Sequence, residues 1–274
     1  MVEDPLDPRQ RSGLSPCPLR FASAAYANQL PLAHFIPEVD SGARLLTVAR
    51  PSDVLARLES GDADAVLLPV AELARRPDLA MIDGLGVCAA RRVRSVLLKC
   101  RVALRDVRTV EADPASVTSN ALVRVLFRNH WRQAVRFVEP GAVPAPDAAV
   151  MIGDRALCAP PAPGGDVDLA AAWHELTGLP FVFAVWVHRR GHPRAAALAR
   201  IAQAAERRGV AELPLLAGLV ARRLGLDEAA CLDYLTTCIY FEAGGPELEA
   251  MRLFWRLAAE CPASEGETRA GGES

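Results

Sequence analysis

The sequence has almost no lysine and no closely paired cysteines. Lys99 is the single lysine among 31 basic residues, so a mechanism that needs a Schiff base would have to use it. The 7 cysteines include no C-x-x-C pair, and no histidine stands at zinc-ligand spacing from them. These absences argue against a metal site, and we expect thiols that stay reduced.

The sequence also lacks an excess of positive charge and any long apolar run. With 31 basic and 33 acidic residues, no broad basic face is expected, so nucleic acid is not a predicted partner. No run approaches the roughly 20 apolar residues of a membrane span, and the membrane is not a predicted partner either. The first residues, MVEDPLDPRQRSGLSPCP, have no apolar core like that of a signal peptide, which predicts a cytoplasmic protein. The polar ends, residues 1–18 and 263–274, are predicted to be disordered.

What is present is typical of an α/β protein. The chain has 274 residues, of which 51% are apolar, enough for a sizeable core and one or two domains. From Leu19 onward, short apolar runs alternate with helical patterns. After Arg105 the pattern restarts with VRTVEAD, the polar loop PASVTSN and a helix whose apolar face covers residues 121–127. Two such units side by side predict two lobes.

One apolar run, residues 181–187, is predicted to cross between the lobes with both of its faces covered. The turn Thr177-Gly178-Leu179-Pro180 before it is predicted to line the cleft. Helical patterns at 193–208, 210–224, 227–240 and 246–260 are expected to pack back on the first lobe. The predicted first lobe is therefore discontinuous, residues 19–103 plus 186–262, and the second lobe covers residues 104–185.

Polar residues gather where the predicted strands end. The loop DPASVTSNALV places hydroxyls and backbone N–H groups at the start of a helix, which favours a carboxylate or a phosphate. Because ligands bind at the carboxyl ends of parallel strands, we expect an anionic small molecule there. The competing interpretation is that these residues only cap their own helix. The clusters are Tyr26 with Asn28; Ser95; Ser116, Thr118, Ser119 and Asn120; Gly153 with Asp154; and Thr177 with Gly178.

Five segments, read together, carry a resemblance to a known family. They are AAYANQLPL, VRSVLLKC, PASVTSNALV, DAAVMIGDRAL and DLAAAWHELTGLPFVFAVWVHR. In order and spacing they resemble the chorismate dehydratases of menaquinone biosynthesis by the futalosine route, over most of residues 19–260, and the last two segments are the most specific. The resemblance implies a fold similar to type II periplasmic binding proteins, with two α/β lobes, crossing strands between them and a helical C-terminal region.

The resemblance also implies a reaction and a set of site residues. The implied enzyme is a carbon–oxygen lyase that removes water from chorismate to give 3-(1-carboxyvinyloxy)benzoate, without a metal or an organic cofactor. Asn28 and Ser95 match positions that face the substrate and are the implied catalytic residues. The implied substrate-binding residues are Tyr26, Ser116, Thr118, Ser119, Gly153, Asp154, Thr177, Gly178 and Leu179.

Three positions, Ala27, Val117 and Asn120, depart from the family pattern. An arginine is frequent in the family where Val117 stands, so its loss bears on anion binding. None of the matched positions that face the substrate offers an obvious general base near neutral pH, and the substrate's own enolpyruvyl carboxylate is the hypothesised proton acceptor. Two alternatives stay open: the sister enzyme 1,4-dihydroxy-6-naphthoate synthase, and a non-catalytic anion-binding protein of the same fold. The sequence does not determine the oligomeric state.

Overall fold

The computed structural model of the chain describes residues 17–261. Apart from Cys17 and Pro18, the ends that were predicted to be disordered lie outside these described residues. Two β-sheets organise the described chain, and the predicted mixed α/β fold is confirmed.

The first sheet carries the strands from both ends of the described chain. Its strands are β1 (Leu19–Ala24), β2 (Ala43–Val48), β3 (Ala65–Pro69), β4 (Leu79–Ala89), β10 (Phe181–Arg189) and β11 (Tyr240–Ala243). They lie in the order β11-β4-β10-β3-β1-β2. β1 is parallel to β2 and β3, whereas β10 is antiparallel to β3 and β4. We call this sheet and the helices on it the first lobe.

The second sheet is built from the middle of the chain. Its strands are β5 (Val96–Cys100), β6 (Thr109–Glu111), β7 (Arg136–Val138), β8 (Ala148–Ile152) and β9 (Asp166–Asp168), in the order β7-β6-β8-β5-β9. β6 is parallel to β7 and β8, and β5 is antiparallel to β8 and β9. We call this sheet and its helices the second lobe.

Helices connect the strands and cover the sheets. The α-helices are α1 (Leu30–Ala33), α2 (Ile36–Val39), α3 (Val54–Glu59), α4 (Val70–Leu73), α5 (Val117–Asn129), α6 (Gly153–Cys158), α7 (Leu169–Thr177), α8 (Ala195–Ala211), α9 (Leu213–Leu224), α10 (Glu228–Asp233) and α11 (Gly245–Ala259). Short 3₁₀ turns cover Ala27–Gln29, Pro51–Asp53 and Leu104–Asp106, and a π-helical turn covers Tyr234–Cys238.

The chain crosses between the lobes at residues 90–95 and again at residues 178–180. Residues 96–100 were predicted in the first lobe, whereas in the structure this segment is β5 and pairs with β8 and β9. Asp168, the N-cap of α7, fixes the first crossing because its carboxylate accepts the N–H groups of Val93 and Arg94. The second crossing begins at Gly178, which ends α7 in the left-handed conformation with φ 72°.

β10 is buried from Phe181 to His188, as expected of a strand covered on both faces. It lies wholly in the first sheet, paired with β3 and β4, so the crossing is the turn before it and not residues 181–187 as predicted. At its start Phe181 packs edge-to-face on Trp173 of α7 and on Phe254 of α11. The Trp173 Nε1–H donates to the carbonyl of Pro180 at 2.9 Å. One aromatic cluster therefore joins β10 to a helix of each lobe.

The C-terminal region is mainly helical and packs on the first lobe, with α8 against α1 and α2 and α11 against β10. The predicted helix over residues 227–240 was wrong at its end. There the chain leaves α10 through the π-helical turn and forms β11, which adds to the edge of the sheet beside β4. Backbone pairing to an open edge outweighs the local helical pattern in Tyr240–Ala243. Within residues 17–261, no helix is long and apolar enough to cross a membrane.

Candidate functional site

A small cavity lies between the two sheets, where strands of both lobes end. Residues that follow the carboxyl ends of β1, β2, β3 and β8 reach its wall, together with the first turn of α5 after β6. This is the place where parallel sheets bind ligands. The cavity has a volume of about 40 Å³. Its wall is formed by Tyr26, Asn28, Gln29, Pro51, Pro69, Val87, Val96, Ser116, Thr118, Ser119, Ile152, Gly153, Phe183 and Ala184.

Asn28 belongs to the cavity wall and carries an unpartnered polar atom. Its side chain is only 8% exposed, and among the described residues its buried Oδ1 has no hydrogen-bond partner. A buried amide oxygen without a partner costs free energy, on the order of 1–3 kcal/mol. The neighbouring Gln29 differs, because its Oε1 accepts the Ala24 N–H at 2.8 Å. Asn28 therefore has a hydrogen-bond acceptor that is available to a ligand.

The N-terminus of α5 forms another part of the wall. Ser116 is the N-cap, and its Oγ accepts the Ser119 N–H at 3.0 Å. The two hydroxyls are themselves hydrogen-bonded, with 2.8 Å between the Oγ atoms. Thr118 Oγ1 accepts the Ala71 N–H from the first lobe at 3.2 Å. The competing interpretation of the sequence is thus partly right, since Ser116 does cap its helix, but Ser116, Thr118 and Ser119 also belong to the cavity wall.

Tyr26 and Gly153 close a further side. Gly153 has a φ of 63°, and a Cβ atom placed on it would lie 2.5 Å from ring atoms of Tyr26. Only glycine therefore allows the tyrosine ring to lie on this turn. Burial raises the pKa of the Tyr26 phenol, so the group stays protonated near neutral pH and is available as a hydrogen-bond donor.

Charged groups stand near the cavity but are paired with each other. Asp113, whose side chain is fully buried, accepts from Arg155 at 2.6 Å, and Asp154 accepts from Arg223 at 2.7 Å. Among the described residues on the cavity wall, none carries a carboxylate, an imidazole or an amine. The wall offers uncharged donors and the first turn of α5, which suit a carboxylate without a cluster of cations.

Ser95 does not reach the cavity wall. It is fully buried, its Oγ accepts a 2.8 Å hydrogen bond from the phenol of Tyr234, and its carbonyl accepts the Gly153 N–H at 2.7 Å. Its neighbour Val96 lines the cavity instead. The predicted contact of Ser95 with a substrate therefore stays a prediction, since Ser95 is not among the wall residues and its hydroxyl accepts from Tyr234.

The predicted turn at Thr177, Gly178 and Leu179 also lies away from the cavity. Thr177 Oγ1 donates to the Trp173 carbonyl at 2.8 Å and accepts the Leu179 N–H at 3.1 Å. These bonds close the end of α7 at the second crossing. The segment after the turn does reach the site, because Phe183 and Ala184 of β10 form part of the cavity wall.

Several residues of the wall were not predicted from the sequence. Gln29, Phe183 and Ala184 lie inside segments that carried the family resemblance, which was the available signal. Pro51 and Pro69 carry only local signals, of a helix start and of a turn, which do not indicate a cavity. Arg223, which pairs with Asp154 from a helix near the C-terminus, had no local signal because its partner lies 69 positions earlier in the chain.

A larger depression, of about 770 Å³, lies elsewhere on the surface. Arg124, Arg128, Arg132 and Arg136 are among the residues around it, beside the edge strand β7. It contains none of the predicted site residues and does not lie at the carboxyl ends of the strands. We therefore take the smaller interlobe cavity as the candidate site.

The fold is that of two-lobed binding proteins. The structure is similar to the alkanesulfonate-binding protein SsuA of Xanthomonas axonopodis, with a TM-score of 0.61, 18% identity and coverage of 92% of this chain and 96% of that one. A protein of Archaeoglobus fulgidus matches with a TM-score of 0.66, 13% identity and coverage of 88% and 97%. At these identities the likeness concerns the fold alone. It confirms the predicted architecture of the periplasmic-binding-protein type.

Sequence comparison gives the family. The family described as "Menaquinone biosynthesis" matches residues 19–260, and the chain belongs to it. A chorismate dehydratase of Thermus thermophilus is 33% identical over 231 residues, which cover 77% of this chain and 84% of the relative. A chorismate dehydratase of Campylobacter jejuni is 38% identical over 122 residues, 44% of this chain and 43% of that protein.

Proposed function

We propose that the protein is a chorismate dehydratase of menaquinone biosynthesis, an enzyme that acts on chorismate. The family membership and the two relatives named chorismate dehydratase support this proposal. The observation in the structure that carries it is the buried, unpartnered Asn28 Oδ1, which belongs to the wall of a cavity that also includes the first turn of α5 and has no charged side chains. Such a site can engage a polar ring on one side and a carboxylate on the other.

The reaction in this proposal is a lyase reaction. The hydrogen on C3 and the hydroxyl on C4 of chorismate leave as water, and the ring becomes aromatic in 3-(1-carboxyvinyloxy)benzoate. Because aromatisation supplies the driving force, the protein mainly has to fix the geometry of the substrate and help one proton move. The gain from such positioning is large when the reacting atoms are held about 3 Å apart.

The cavity wall supports proton transfer to the substrate itself. Among the described residues of the wall, Tyr26 is the titratable one, and burial keeps its phenol protonated by raising its pKa. A protonated phenol cannot remove the C3 proton. In the proposal the enolpyruvyl carboxylate of chorismate takes this proton, and Asn28 holds the ring so that carboxylate and C3 meet.

The hydroxyls of α5 hold a carboxylate in this proposal. Ser119 lies 2% exposed in the first turn of the helix, and Ser116 can donate its own proton to Ser119 Oγ. The Ser119 proton is then free to donate to the substrate. In the proposal these hydroxyls and the N–H groups in the first turn of α5 bind the carboxylate in place of an arginine at position 117.

The cavity as it stands is narrow for such a substrate. Ligand pockets usually have volumes of about 300–1,000 Å³, much larger than the interlobe cavity. We infer that the lobes move apart to admit chorismate and close again over it, with the crossings at residues 90–95 and 178–180 as hinges. The protein is proposed to work in the cytoplasm and without a metal or organic cofactor.

Incubation of the purified protein with chorismate tests the proposal. We expect an aromatic product, detected by its ultraviolet absorbance and by its mass, at a rate above that of a heat-denatured sample. Ser119→Ala should raise KM about tenfold, because one hydrogen bond to a carboxylate is lost. Ser60→Ala, an exposed serine after α3, is the matched control and should behave as the unaltered protein does. Binding without turnover would favour an anion-binding protein, and turnover of a cyclic dehypoxanthinyl futalosine in place of chorismate would favour the sister enzyme.

A further inference from the structure

A carboxylate of the second lobe holds the backbone that carries Asn28. Asp154 stands in α6, directly after β8, and its Oδ1 accepts the N–H of Ala27 at 2.8 Å. Ala27 opens the 3₁₀ turn that contains Asn28 and belongs to the first lobe. This hydrogen bond therefore reaches across the cleft to the residue before the proposed catalytic amide.

Arg223 completes the arrangement from α9. One arm of its guanidinium, Nη2, donates to Asp154 Oδ2 at 2.7 Å, and the other, Nη1, donates to the carbonyl of Ala25 at 2.6 Å. Both Asp154 oxygens are thus engaged by the protein. Two of these hydrogen bonds hold the segment from Ala25 to Ala27, and the third joins the two side chains. We call Asp154 and Arg223 the bracket. The planar fork of an arginine suits this double contact, and lysine cannot reproduce it.

The bracket matters because no hydrogen bond from a described residue to its Oδ1 holds the Asn28 side chain in place. Its Oδ1 has no partner among the described residues, so the place of the amide depends on the backbone that carries it. The 3₁₀ turn has no side-chain cap of its own, since Tyr26 makes no cap hydrogen bond. A displacement of about 1 Å in a positioned group can lower a rate by about 10²-fold.

We propose that Asp154 and Arg223 are positioning residues that hold Asn28 in place for the reaction, without touching the substrate themselves. The inference rests on the proposed function, because it concerns how Asn28 acts on chorismate. It replaces the substrate contact that the sequence analysis assigned to Asp154. A residue that acts through the position of Asn28 affects kcat more than KM.

Kinetics with chorismate test the bracket. We expect Arg223→Ala and Asp154→Ala to lower kcat about 10- to 100-fold, while KM changes less than threefold. Arg223→Lys should recover only part of the loss, because a single ammonium cannot hold both Asp154 and Ala25. Asp154→Asn keeps an acceptor for the Ala27 N–H and should also be intermediate. Arg200→Ala is the matched control, since Arg200 pairs with Asp40 on the surface of the first lobe at 3.3 Å and should leave kcat unchanged.

Hydrogen exchange gives a readout that does not depend on activity. In the protein without substrate, Arg223→Ala should speed exchange of the Ala27 amide, followed by mass spectrometry on a peptide covering residues 24–29, and Arg200→Ala should not. If the unaltered protein does not convert chorismate but the exchange changes as expected, the proposed function fails and the bracket stands. Conversion of chorismate with an unchanged kcat in Arg223→Ala and Asp154→Asn, or a rise in KM alone, overturns the bracket.

Discussion

The ring of Tyr26 lies directly on Gly153, so that a Cβ atom at position 153 would be 2.5 Å from the ring. One residue comes from the first lobe and the other from the second, and both line the cavity. The contact is therefore possible only while residue 153 has no side chain. Gly153 also has a positive φ of 63°, which side chains other than glycine rarely adopt.

The contact of Gly153 with Tyr26 and its positive φ can be tested separately. Gly153→Ala should lower kcat/KM for chorismate at least tenfold, because Tyr26 must leave its place, and should cost about 1–3 kcal/mol of stability. Gly61→Ala is the control, since Gly61 has a φ of 75° but nothing within 4 Å of the added Cβ. It should show the cost of the backbone alone, about 1 kcal/mol, with unchanged turnover. Equal turnover in both variants would mean that the Tyr26 contact is not needed.

Replacement of Asn28 by an apolar residue should have opposite effects on the stability and on the activity of the protein. Its Oδ1 is buried without a partner, and exchange for an apolar side chain of similar size removes that penalty. We expect Asn28→Leu to keep the stability of the protein or raise it by about 1 kcal/mol, measured by urea unfolding. The same change should lower kcat for chorismate about 10²-fold, as the loss of a positioned polar group does. A variant with full turnover would remove Asn28 from the mechanism.

The sequence predicted those parts of the site that depend on local pattern. Asn28, Ser116 and Ser119 follow strand ends, and strand ends can be recognised from apolar runs and turn residues. The side that Ser95 faces could not be predicted, because it depends on Tyr234, which stands 139 positions later in the chain. The placement of residues 96–100 in the second sheet has a similar cause. It follows from long-range pairing with β8 and β9, which no local pattern encodes.

Glu72 should make stability depend on pH near neutrality. Burial, with a smaller contribution from nearby Glu59, raises the pKa of this carboxyl in α4 from 4.5 to about 7. Since the folded state holds the proton more tightly than the unfolded state, this favourable contribution is complete below about pH 4.5. It is lost as the pH rises through 7.

Glu72→Gln keeps the side chain neutral at every pH and tests this expectation. Relative to the unaltered protein, it should have the same stability near pH 4.5 and about 1–2 kcal/mol more at pH 8, in urea unfolding. Glu249→Gln, on the exposed side of α11, is the control and should show no such divergence. A difference that is constant between pH 4.5 and pH 8 would contradict the raised pKa.

Variants of Ser95 and Tyr234 test whether the Ser95 hydroxyl has a structural role or acts on the substrate. Ser95→Ala leaves the phenol of Tyr234 buried without an acceptor, which should cost about 1–3 kcal/mol and disturb the adjoining wall at Val96. Tyr234→Phe in addition removes the unpaired phenol, so the double variant should regain about 1 kcal/mol or more over Ser95→Ala. Because the hydroxyl faces Tyr234 and not the cavity, we expect turnover of chorismate to recover together with stability. If stability returns in the double variant while kcat stays low, the Ser95 hydroxyl acts on the substrate directly, as the family resemblance implied, and the wall at Val96 must shift to let it do so.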